Sequence, residues 1–176
     1  MSIKGSITAL VTPMNEKGDL DYDSLEKLIN FQIDSGISGL VAVGTTGESA
    51  TIDFKDHIKL IEFFVKINKG RVHIIAGTGA NSTEEALHLT KEAKSAGADA
   101  ALLVSPYYNK PPQEGIYYHH MKIADEVDIP QILYNVPSRT ASFIEPETVL
   151  RLSSHKNIIG IKAVSYTHLR AHETDY

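Results

Sequence analysis

The sequence contains no cysteine. That excludes disulfides, thiolate metal sites and cysteine nucleophiles, and gives an oxidising compartment no support. It is also short of positive charge, with 17 lysines and arginines against 22 aspartates and glutamates and a formal net charge of −5. Nucleic acid and anionic membrane surfaces require a basic face, so neither is expected as a partner. Long apolar runs are missing as well. The stretch before Pro13 is too short for a signal h-region or a membrane span, and the expected location is cytoplasmic. What remains is 42% hydrophobic and 22% charged over 176 residues, enough for one domain with a core.

Short apolar runs alternate with amphipathic ones. The runs Ile7–Val11, Leu40–Val43, Val72–Ala76, Ala101–Val104, Gln131–Tyr134 and Ile158–Lys162 are β-branched and mostly unbroken, as expected of parallel strands buried on both faces. Between them, Leu25, Leu28, Ile29 and Ile33 share a helical face that starts near Asp23 and is closed by Gly36. Ile58, Ile61, Phe64 and Val65 form a second stripe. Ser82 with Glu85 gives a capping-box pattern for a third helix, closed by Gly97. Ile116, His120, Ala124 and Val127 mark a fourth, and Pro146 suits the first turn of a short fifth. Strands recur at about the 30-residue length of a βα unit, and this order dictates a parallel sheet with right-handed crossovers. Two layouts fit. One is a doubly wound open sheet; the other is a (β/α)₈ barrel, incomplete because six strands are present and closure needs eight units over roughly 250 residues.

Three strand ends carry chemistry. Gly44-Thr-Thr-Gly-Glu-Ser49 follows a strand and precedes a helix, so its backbone N–H groups and the hydroxyls of Thr45 and Thr46 can cradle a carboxylate or phosphate. A plain turn would use the same residues. Tyr134 ends the fifth strand, and Arg139 follows in a loop where its guanidinium can grip a carboxylate, or simply be solvated. Lys162 closes an otherwise apolar strand on the face of Ile158 and Gly160, with Gly160 leaving space beside it. Desolvation there would lower its pKa and free the amine as a nucleophile towards a carbonyl; the plainer reading is a lysine snorkelling from a strand mouth. Tyr134 and Lys162 end consecutive strands and should be neighbours at one rim. Tyr107 and Tyr108 lie on a proline-stiffened loop, where they could meet a partner subunit or pack locally.

Other signals carry less. Gly77-Thr-Gly79 with Asp99 approaches a dinucleotide fingerprint but lacks the third glycine, and Asp99 precedes a strand instead of ending one. His119 and His120 are adjacent on a helix and are expected to diverge, and His168 and His172 lack a third ligand. No metal site is expected.

Six segments run in order across nearly all of residues 1–162: Gly5–Pro13, Val43–Ser49, Ile75–Asn81, Pro106–Pro111, Leu133–Thr140 and Ile158–Lys162. Together they resemble the dihydrodipicolinate synthase family of pyruvate-dependent class I aldolases. The resemblance implies a (β/α)₈ barrel in which Lys162 forms an imine with pyruvate and Tyr134 donates and accepts protons. It implies that Thr45 links Tyr134 to Tyr108 of a neighbouring subunit, that Thr45 and Thr46 hold the pyruvate carboxylate, and that Arg139 holds the carboxylate of L-aspartate-4-semialdehyde. No cofactor is implied, because the imine is itself the electron sink, and a homotetramer is implied for the parent enzyme. Sister aldolases, such as N-acetylneuraminate lyase or the keto-deoxy-sugar acid aldolases, share the barrel, lysine and tyrosine. The Thr45-Thr46 pair and the Tyr134–Arg139 segment favour the synthase. The family pattern breaks after Lys162. Residues 1–162 therefore read as a partial barrel and 163–176 as a non-family tail, expected to be disordered or vector-derived. The chain as written would then be an inactive fragment.

Overall fold

The computed structural model describes residues 3–164. The tail beyond Val164, including His168 and His172, lies outside the described residues. Twelve elements follow one another: β1 (Ile7–Ala9), α1 (Tyr22–Asp34), β2 (Gly39–Ala42), α2 (Phe54–Asn68), β3 (His73–Gly77), α3 (Thr83–Ala96), β4 (Ala100–Val104), α4 (Gln113–Glu126), β5 (Gln131–Asn135), the single turn α5 (Pro137–Thr140), α6 (Pro146–Leu152) and β6 (Ile158–Ala163). A 3-10 turn, Ser49–Thr51, precedes α2. Every strand pairs in parallel with the next in sequence, in the order β1 to β6. β6 therefore runs one residue past the boundary read from the sequence at Lys162.

Local chemistry accounts for the helix limits. Asp53 and Ser82 accept hydrogen bonds from the backbone N–H groups of Asp56 and Glu85, satisfying donors that the first turn leaves free. Gly97 ends α3 at φ +92°, where its backbone N–H donates to Ala93 and Lys94 carbonyls. α1 begins earlier than its sequence suggests. Asp21 is the cap, accepting from the Ser24 N–H and hydroxyl, so Asp23 lies in the first turn. In α2 the fully covered face is His57, Leu60, Ile61 and Phe64, and Ile58 and Val65 are only partly covered. α5 was not foreseen. It is one turn long, has no apolar period, and puts Arg139 on a helix where a loop was expected.

The choice between open sheet and barrel is decided by a single cavity. It has a volume of about 590 Å³ and is lined by Ile7, Val41, Ile75, Leu102, Ile132 and Gly160, one residue from each strand in turn. In a flat sheet β1 and β6 would be about 24 Å apart at ordinary strand spacing, beyond the reach of one such cavity. The sheet is curled, and these residues point to its inside. Leu40, Ala42 and Ile74 face the other way, against Leu25, Ile29, Leu60 and Phe64 of α1 and α2. Leu103 meets α3 and α4, and Leu133 meets α4 and α6. The helices also pack in sequence, α1 on α2, α2 on α3, α3 on α4 and α4 on α6, as an outer layer. This is an incomplete (β/α)₈ barrel.

One face assignment from the sequence fails. Gln131 pairs with Ile158, but Ile132 pairs with Gly160, so β6 carries one extra residue at this point. Such a bulge reverses the alternation. Ile158 consequently packs outward with Ile116, Leu133 and Leu152, whereas Gly160 and Lys162 face inward beside Ile132 and Tyr134.

Candidate functional site

Lys162 and Tyr134 are register partners on β6 and β5. The Lys162 ammonium nitrogen lies 4.2 Å from the centre of the Tyr134 ring, over its face. Tyr134 is buried and Lys162 is exposed. The expected desolvation of the lysine is therefore not found. β6 has a strand neighbour only in β5 among the described residues, and Ile159 and Ile161 beside the lysine are themselves 43% and 40% exposed. The space expected beside it is present, since a methyl group built on Gly160 would meet nothing within 4 Å.

The Gly44–Ser49 segment leaves β2 as a closed backbone turn. Gly44 O accepts from the N–H groups of Gly47 and Ser49, and Thr45 O accepts from Glu48 N–H. Two features fix its start. Val43 is buried at φ +53°, a conformation that a β-branched residue adopts only under constraint. Its carbonyl lies against Gly77, where an added Cβ would come within 2.3 Å of the oxygen. At the other side, the buried Thr12 hydroxyl donates to Gly47 O over 2.7 Å. The resulting turn leaves Thr45 half-buried and Thr46 exposed. Thr45 and Arg139, together with Glu48, Tyr107 and Thr140, line a second cavity of about 300 Å³. The lining thus brings a threonine and an arginine, groups able to bind a carboxylate, together with one acidic residue, Glu48.

Tyr108 lines neither cavity. It is 89% exposed at φ +75°, and Lys110 shares the left-handed region at φ +45°. Tyr107 turns inward, where burial and the nearby Glu85 carboxylate raise its phenol pKa. The structure thus gathers the candidate residues in two groups, Lys162 with Tyr134 and Thr45 with Arg139, and leaves Thr46 and Tyr108 at the surface.

The remaining signals have structural uses. Gly79, like Gly77, stands where neighbouring backbone comes close, since a Cβ there would be 2.3 Å from Val104 N. Asp99 accepts from the Ile74 N–H over 2.8 Å. The glycine pattern therefore serves the packing of strand ends. The rings of His119 and His120 do not diverge. They meet edge to face with centroids 5.0 Å apart, both buried in α4. Among the described residues no group of three or more histidines and carboxylates is arranged to hold a metal. Sequence reading missed His57, whose Nε2–H donates to Gly77 O over 2.7 Å and whose pKa burial lowers. It also missed Thr12, Ser105 and Ser142, which are buried polar residues at strand and helix ends. For His57 the one available signal was a polar residue in register with the apolar stripe of α2.

Comparison with known proteins agrees with this architecture. Residues 2–174 match the model of the dihydrodipicolinate synthetase family. The 4-hydroxy-tetrahydrodipicolinate synthase of Pseudomonas putida is 60% identical over 169 residues, which cover 96% of this chain and 58% of that protein. The Pseudomonas aeruginosa enzyme of the same name is 59% identical over 171 residues, 97% of this chain and 59% of its own. Among solved structures, a chloride-inhibited dihydrodipicolinate synthase from Acinetobacter baumannii complexed with pyruvate superposes with a TM-score of 0.90 at 53% identity, covering 92% of this chain and 55% of that one. The Aquifex aeolicus synthase gives a TM-score of 0.91 at 50% identity, covering 96% and 58%. The chain thus spans somewhat more than half the length of these relatives. No helix among the described residues is long and apolar enough to cross a membrane. Matched along its sequence and in its incomplete parallel barrel, the chain belongs to the dihydrodipicolinate synthetase family.

Proposed function

We propose that this chain carries the imine-forming half of a 4-hydroxy-tetrahydrodipicolinate synthase, which condenses pyruvate with L-aspartate-4-semialdehyde on the route to diaminopimelate and lysine. The observation that carries the reading is the inward-facing Lys162–Tyr134 pair on β6 and β5. An amine beside a phenol at the C-terminal rim of a parallel barrel is a Schiff-base arrangement. The pyruvate complex of the Acinetobacter baumannii relative supports pyruvate as the first substrate.

In this mechanism the Lys162 amine attacks the keto carbon of pyruvate and water departs, leaving an imine. Loss of a methyl proton gives the enamine. Its carbon attacks the aldehyde of the second substrate, whose oxygen takes up a proton. The amino group of the condensed substrate then attacks the imine carbon and releases Lys162. Tyr134 supplies and removes protons, relayed through Thr45 to Tyr108 of a neighbouring subunit. Thr45 and Thr46 hold the pyruvate carboxylate, and Arg139 holds that of the semialdehyde. Arg139 and Thr45 line one cavity, which supports both of them as holders of substrate carboxylates. No cofactor takes part. The working assembly is a cytoplasmic homotetramer.

The test uses the family-length enzyme, in which residues 1–162 are continued by the C-terminal part of the Pseudomonas putida relative. It should form the cyclic product from pyruvate and aspartate semialdehyde, with no cleavage of N-acetylneuraminate. Cleavage of the sugar acid without formation of the cyclic product would overturn the proposal.

A further inference from the structure

Two strand-end segments carry groups given roles above, Tyr108 in the proton relay and Arg139 in holding the semialdehyde carboxylate. One follows β4 and runs Ser105-Pro-Tyr-Tyr108. The other follows β5 and contains α5, with Arg139, and then Thr140-Ala-Ser142. Neither segment has much regular structure to hold it. α5 is a single turn, and such a turn is unstable alone. Left-handed backbone at Tyr108, Lys110 and Ala141 adds strain that only surrounding contacts can maintain.

Those contacts are a buried set of hydroxyls. The Ser142 hydroxyl donates to Pro106 O over 2.8 Å. Its oxygen also lies 2.9 Å from the Ser105 hydroxyl. A hydroxyl has one proton, and that of Ser142 is committed to Pro106, so Ser105 is the donor in the second bond. Ser105 is in turn fixed to β5 by its N–H, which donates to Tyr134 O over 2.9 Å. On the α5 side, the Thr140 hydroxyl donates to Ser142 O over 2.8 Å and accepts from Ser142 N–H over 3.2 Å. Tyr108 N–H reaches Thr140 O at 3.4 Å. Ser105, Thr140 and Ser142 are 0%, 2% and 7% exposed, so water does not replace these bonds when one is lost.

We propose that Ser142 is a positioning residue for the second substrate. Its hydroxyl joins the segment of Arg139 to the segment of Tyr108, so that the two move as one unit. The inference rests on the functional reading above and deepens it. It concerns binding of the aldehyde and not of pyruvate, because the turn that holds pyruvate is fixed separately by Thr12, Val43 and Gly77.

In the family-length enzyme, Ser142→Ala should raise KM for aspartate semialdehyde about tenfold, the size of one buried hydrogen bond, with KM for pyruvate held within about twofold. Ser105→Ala should have a smaller effect, because the bond from Ser142 to Pro106 survives. The double variant should be no worse than Ser142→Ala alone. Ser142→Cys, which keeps a weak donor of similar size, should recover part of the loss. If Ser142→Ala does not fold, Ser105→Ala and Ser142→Cys carry the same test, and the aldehyde KM must rise while the pyruvate KM holds. An unchanged aldehyde KM, or equal changes in both KM values, would overturn the positioning role. Absence of pyruvate-dependent turnover in the unsubstituted enzyme would overturn the functional reading instead.

Discussion

Acid should destabilise this fold well before its carboxylates titrate. His119 and His120 lie buried in α4, and among the described residues His119 Nε2 and both ring nitrogens of His120 have no hydrogen-bond partner. The remaining nitrogen, His119 Nδ1, meets the Thr83 hydroxyl at 2.9 Å. A proton added to either ring would bring an unpaired charge into the interior. Burial accordingly lowers the His119 pKa to about 4, and burial together with His119 lowers that of His120 to about 3. The unfolded chain titrates near 6.5 and so binds more protons than the folded one below that pH. Stability is fully present above pH 6.5 and is lost as the pH falls towards the folded values. From pH 6.5 to 4.5 each histidine contributes a loss of about 2 kcal/mol, or about 4 kcal/mol for the pair. That compares with a typical total of about 5–15 kcal/mol. His57, also lowered by burial, acts in the same direction. The carboxylates with lowered pKa, Asp21, Glu84, Glu114 and Asp128, begin to lose their contributions only as their unfolded forms protonate, from about pH 5 downwards. Urea unfolding of the family-length enzyme from pH 7 to 4.5, at fixed protomer concentration, measures the effect. In His120→Leu the pH-dependent loss should fall by about half. The reasoning is refuted if both proteins show the same slope, or if stability rises as the pH falls.

Three substitutions in the same enzyme probe the Gly44–Ser49 turn and the roles of Tyr134 and Arg139. Gly77→Ala puts a Cβ 2.3 Å from Val43 O and should destabilise by about 1–3 kcal/mol; an unchanged urea midpoint would show that the Gly44–Ser49 turn yields freely. Tyr134→Phe keeps the ring over which Lys162 lies but removes the hydroxyl, so kcat should fall about 100-fold with pyruvate binding largely kept, and near-normal kcat would remove Tyr134 from proton transfer. Arg139→Ala should raise KM for aspartate semialdehyde far more than for pyruvate, and the reverse order would show that the substrate roles are exchanged.

The alternating βα order was legible because parallel strands leave a coarse signature. β2 and β4 are short apolar blocks covered on both faces, and the Ser82 and Gly97 signals mark the ends of α3. The choice between an open and a curled sheet was not legible, because both layouts need the same apolar strands. Only the shared cavity from β1 to β6 separates them. The bulge at Ile158 was invisible for a similar reason. A run such as Ile158-Ile-Gly-Ile is apolar at every position that could face in or out, so periodicity cannot register one extra residue. Lys162 and Tyr134 stood out in the sequence because each closes an apolar run with a reactive group. Ser105, Ser142 and Thr12 were missed because a serine or threonine near a turn is ordinary in sequence. Burial and a specific acceptor give these hydroxyls their importance, and both come from segments distant along the chain.

In the proposed function Lys162 is the imine-forming nucleophile. The family-length enzyme is incubated with pyruvate, reduced with borohydride, digested and mapped by mass spectrometry. The expected result is a reductively attached propionate group on the peptide containing Lys162, absent when pyruvate is omitted and lost in Lys162→Ala. Stable labelling of any other lysine, or pyruvate-dependent labelling that persists in Lys162→Ala, would contradict it.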